Sequence, residues 1–104
     1  MREEWSPAQR AGIYAKYVGW IEEERENWET FALEALIIRS NLQWQWHELA
    51  PEQQVQVLQA DDLLVKNHQR MGEILPAYGL HQRAEWWWFL HEGPQVREEV
   101  LQVA

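Results

Sequence analysis

The chain contains no cysteine. That single absence removes disulfides, thiolate nucleophiles and zinc–thiolate sites together, so stability must come from packing. Long apolar runs are missing too: the longest aromatic block, Trp86 to Leu90, is far too short to cross a bilayer. The opening Met-Arg-Glu-Glu-Trp lacks the basic start and apolar stretch of a signal peptide, which makes the cytoplasm the expected address. Basic residues are scarce, with 9 Lys and Arg against 17 Asp and Glu and a net charge of -8. With no basic tail or patch to neutralise phosphates, direct nucleic-acid binding is not expected. Serine occurs only at Ser6 and Ser40, and no glycine-rich turn of the kind that cradles phosphate or exposes a nucleophile is present. The chain is therefore expected not to be an enzyme.

What is present in quantity is tryptophan, 8 in 104 residues, within a composition that is 46% hydrophobic. That content argues for a folded chain despite the charge, and the length predicts a single helical domain over 1–104. Ser6, Pro7 and Gln9 form a capping box with proline at the first helical position. From there Tyr14, Tyr17, Ile21, Glu24, Trp28, Phe31, Ala35, Ile38 and Leu42 recur at alternating spacings of three and four. This seam, with Glu24 as its only charged member, predicts one long helix from about 7 to 43. A break near Glu26 and Asn27, giving two helices of ordinary length, is the alternative.

The alternation Leu-Gln-Trp-Gln-Trp from Leu42 resembles a strand, but with no second candidate strand it reads as a helix end or turn. Pro51 opens a second helix, with Val57, Asp61, Leu64, His68, Met71 and Leu75 along its seam, and Pro76 and Gly79 stop it near 75. A third segment, about 80–92, ends at Gly93-Pro94, and a short fourth runs from about 95 to 103. The expected architecture is all-α: a small helical bundle with one long N-terminal helix, a second helix and two shorter C-terminal ones.

Candidate sites follow from what such helices cannot hide. On an α-helix Trp86, Trp87 and Trp88 point in directions about 100° apart, so a one-sided core leaves part of the block outside. An exposed pair there, with Trp44 or Trp46, is expected to mark a partner surface or an oligomer interface; a centrally buried helix is the plainer alternative. The run holding Glu22, Glu23 and Glu26 is a solvated face or a contact surface. Ala8, Gly12, Ala15 and Gly19 form a small-residue stripe suited either to a close helix approach or to solvent. Asp61, if buried, needs an arginine or histidine partner, and a rim position is the expectation. No Glu-x-x-His motif and no His-x-x-x-His spacing occurs, so no metal or other cofactor is expected.

These features predict a non-enzymatic protein–protein interaction module, an adaptor, assembly factor or regulator, that forms a homodimer through an aromatic helical surface. One rival is an acidic decoy occupying the basic groove of a nucleic-acid-binding protein. A second is a bundle holding a metal or an aromatic small molecule between tryptophans.

Overall fold

A computed structural model describes residues 5–75 and 81–103, the side chain of Val103 excepted. Among the described residues five helices occur, α1 (Pro7–Glu22), α2 (Trp28–Trp44), α3 (Pro51–Lys66), α4 (His68–Gly72) and α5 (Val96–Val103), and no strand. The fold is a small all-α one, as the periodicity predicts. By packing the chain divides into two compact units, 1–63 and 64–104.

In the first unit, α1 begins as the capping box requires. Ser6 Oγ accepts from the Gln9 N–H at 3.1 Å, and the Ser6 N–H donates to Gln9 Oε1 at 2.8 Å. The expected continuous helix over 7–43 is not formed, because α1 ends at Glu22 and α2 starts at Trp28. The break has a definite chemistry. Glu24 takes a left-handed conformation (φ 51°), the Arg25 N–H reaches back to the Trp20 carbonyl and the Glu24 N–H to that of Ile21. This is a Schellman ending, with glutamate where glycine is usual. In place of the customary apolar contact stands a cation–π one, the Arg25 guanidinium lying 4.5 Å from the centre of the Trp20 ring. Asn27 is also left-handed (φ 63°), a conformation that asparagine tolerates better than most residues, and it leads into α2.

The chain thus folds back, and the two halves of the predicted seam face each other. Tyr17 and Trp20 meet Phe31 near the turn, while Arg10 donates to Gln45 Oε1 at 2.8 Å at the far end, so α1 and α2 run antiparallel. Tyr14, Val18, Ile21, Ala35, Leu36, Ile38 and Leu42 are buried between them or beneath them. The region after Leu42 is a helix end followed by a 3-10 turn, Trp46–Glu48, as expected. Gln53 then caps α3 by accepting from the Ala50 N–H at 2.9 Å.

The second expected helix, about 51–75, is interrupted at Asn67, where the N–H turns to the Leu64 carbonyl. The side chains close the gap: Arg70 Nη1 donates to Asn67 Oδ1 at 2.6 Å, and His68 Nδ1 lies 3.0 Å from the Val65 carbonyl. The seam survives the break, with Val57, Asp61, Leu64, Met71 and Leu75 all buried. The predicted stop signals Pro76 and Gly79, and the start of the third segment at Leu80, lie outside the described residues.

In the second unit, 81–92 is not the expected helix but two 3-10 turns, Trp86–Trp88 and Leu90–Glu92, separated by non-helical Phe89. An α-helix would fan three successive indoles around its axis; the irregular path buries all three. Each indole removes some 150–250 Å² from water, which outweighs a few forgone helical hydrogen bonds. The turn at Leu90–Glu92 packs against α4 closely enough that a Cβ on Gly72 would lie 3.4 Å from the His91 Cα. Gly93 (φ 118°) redirects the chain into α5, whose Val96 is buried.

Candidate interaction surface

Two features of the first unit bear on function: a buried polar cluster that orients α2, and the outer face that α2 presents as a result. Asp61 does not occupy the expected rim position. It is 1% exposed and accepts three hydrogen bonds, from Tyr14 Oη at 2.5 Å, from Arg39 Nε at 2.9 Å (both on Oδ1) and from Arg39 Nη2 at 3.0 Å on Oδ2. Its partner is the arginine alternative. Arg39, 4% exposed, is held bidentately by Asp61, donates to Gln43 at 3.1 Å and stands 5.5 Å from the Trp46 ring centre. Burial, and next the Asp61 carboxylate, push the Tyr14 phenol well above its usual value near 10, against a smaller opposing effect of Arg39. The phenol therefore stays protonated and serves as a donor. One residue from each of α1, α2 and α3 meets here, and no buried side-chain nitrogen or oxygen among the described residues lacks a hydrogen bond. Such a network costs desolvation but accepts only one rotation of each helix about its axis.

With Arg39 turned inward, the opposite side of α2 carries Leu33, Ile37, Ser40 and Trp44 at spacings of four, three and four, one stripe on a helix. Ile37 is 42% exposed and Trp44 82%; Leu33 and Ser40 are half-buried, and Asn41 and Gln43 beside them are exposed. Of the eight tryptophans, Trp44 alone stands in solvent: Trp5, Trp20, Trp28 and Trp46 are half-buried, and Trp86, Trp87 and Trp88 are buried. Of the expected partner tryptophans, Trp44 and Trp46 lie in the first unit and Trp86, Trp87 and Trp88 in the second. Trp86 and Trp87 pack edge to face at 5.5 Å, Arg97 lies over Trp86, and Trp88 stacks on His81 at 3.7 Å, so the block's surface is used within the chain. Glu22 is half-buried at the end of α1, and Glu23 and Glu26 are exposed on the turn that follows.

Ile37 was not singled out by sequence, because the seam through Ala35, Ile38 and Leu42 absorbs the apolar signal of α2. The signal that identifies it is the second stripe on the same helix. Of the small-residue stripe of α1, a Cβ on Gly12 or Gly19 would meet nothing within 4 Å among the described residues. Among the described residues no group of three or more His, Asp or Glu side chains is placed to hold a metal ion, and no helix is long and apolar enough to cross a membrane. In comparisons with known proteins, no family model, no curated protein and no solved structure matches the chain.

Proposed function

We propose that the chain is a non-enzymatic protein–protein interaction module of the cytoplasm, acting through the outer face of α2. The observation that supports this reading most is Trp44, an indole left 82% exposed on a stripe with Ile37 in a chain that buries or half-buries every other tryptophan. Desolvating such a side chain is strongly favourable once a partner supplies the surface, and tryptophan is the residue most enriched among binding hot spots. The Tyr14–Asp61–Arg39 cluster fits the same reading, since it pins α2 in rotation and so presets the stripe.

The experiment is co-purification from extracts of the source cells with the tagged native chain and with Trp44→Ala. Proteins retained by the native chain and lost by the variant, with an unchanged melting temperature, are expected; identical retained sets would overturn the proposal. A second reading, the acidic decoy, draws on exposed Glu23, Glu24, Glu26 and Glu29 at the α1–α2 turn. It predicts binding that weakens steeply between low and moderate salt, whereas binding through Trp44 changes little.

A further inference from the structure

We infer that the occupant of α2's outer face is a second copy of this chain, laid antiparallel across it in a two-fold dimer. The inference rests on the reading of that face as an interaction surface. Charge is the first argument. The chain carries a net -8, so two copies repel along most of their length, yet residues 35–47 contain no Asp or Glu. The stripe from Ile37 to Trp44 lies in this window, and its one cation, Arg39, is turned inward onto Asp61. Here two copies can approach without setting carboxylate against carboxylate, whereas a basic partner would be drawn to the carboxylates of 22–29.

Shape is the second argument. A two-fold interface must be complementary to itself. Positions 33 and 44 share a midpoint with positions 37 and 40, between Ile38 and Arg39. An antiparallel pair centred there sets Trp44 of each copy against Leu33 of the other, and Ile37 against Ser40, large against small. Glu34 falls opposite Gln43, and Glu29 opposite Glu48, which lies past the end of α2, so like charges meet only outside the stripe. Two 17-residue helices are about 25 Å long, and their contact falls below about 1,200 Å² in total, the size of a reversible association.

The absence of cysteine makes the test clean, because any engineered thiol is unique. Light scattering of the native chain across a concentration range is combined with mild oxidation of Ile37→Cys and Trp44→Cys, and of Gln56→Cys on the exposed side of α3 as a control. In the antiparallel pair the two copies of position 44 are eleven residues apart along the helices, about 16 Å, beyond the ~7 Å Cα span of a disulfide; those of position 37 are three apart. The expected result is a concentration-dependent dimer, abolished by Ile37→Glu, with cross-linking at 37 well above the control and none above it at 44. Cross-linking at 44 as ready as at 37 would overturn the antiparallel arrangement while leaving the face an interaction surface. A native chain that stays monomeric, or a dimer that survives Ile37→Glu, would overturn the second copy as occupant; the co-purification result would still decide the broader proposal.

Discussion

Replacing Asp61 by alanine is expected to cost about 3–5 kcal/mol, because it takes the carboxylate from a guanidinium that is 4% exposed and the acceptor from a fully buried phenol. Against the roughly 5–15 kcal/mol typical of a whole domain, that is a large share of the stability, and it corresponds to a fall in melting temperature of more than about 12 °C. The loss measures the burial of a charge deprived of its partner, not the net value of the cluster. The two are separated by replacing the cluster as a unit: Tyr14→Phe, Arg39→Met and Asp61→Leu together remove all of the cluster's polar groups at once. That triple variant is expected to lie within about 1.5 kcal/mol of the native chain, or above it. The assay is urea denaturation followed by far-ultraviolet circular dichroism, with midpoints compared at matched slopes. A cost for Asp61→Ala below about 1 kcal/mol, or a triple variant as unstable as the single one, would refute the placement of Asp61 as the buried junction of three helices.

Raised by burial, the Tyr14 phenol binds its proton more tightly folded than unfolded. Its contribution is complete below pH ~10 and shrinks as pH rises through the unfolded-state value towards the folded one. Melting temperatures between pH 8 and 11 should fall in the native chain and fall less steeply in Tyr14→Phe; parallel curves would contradict this. Glu24→Gly relieves a left-handed conformation at the Schellman position and should stabilise by about 1 kcal/mol in urea melts, whereas Gly93→Ala, which places a Cβ at φ 118°, should destabilise. Gly12→Ala, on an open stretch of α1, should add up to about 1 kcal/mol from helix propensity alone. Trp87→Ala should cost about 3–5 kcal/mol and Trp44→Ala less than about 0.5, a contrast that thermal melts resolve directly.

Periodicity revealed the helical class and part of the core, since Tyr14, Ile21, Ala35, Ile38, Leu42, Val57, Leu64 and Met71 lie on the predicted seams, while Ala11, Val18, Ala32, Leu36, Leu49 and Ala60 are buried off them. It misjudged the connection at Glu24 for a physical reason. A seam records which side of a helix is buried, not what buries it, and α1 folded back on α2 satisfies the same spacing as a continuous helix packed on a third element. The deciding information was local: a glutamate accepting a left-handed conformation because Arg25 closes over Trp20, which no apolar count registers. The tryptophan block failed differently, because three large side chains reshaped the backbone instead of obeying helical geometry. Asp61 stood out as a charge on a seam, but its partner Arg39, 22 residues earlier, emerges only once α2 and α3 are placed side by side.

The isolation of Trp44 also has an optical consequence. In a chain with eight indoles, steady-state emission is ordinarily a blur of overlapping sources. Here seven are shielded in part or whole, so the red-shifted, readily quenched fraction of the emission belongs chiefly to one residue. Iodide, an anion held off by a net charge of -8, meets its weakest opposition along the acid-free stretch from 35 to 47 where that indole stands. The molecule thus carries an intrinsic fluorophore at the surface in question, and loss of iodide quenching reports occupancy of that surface without any attached dye.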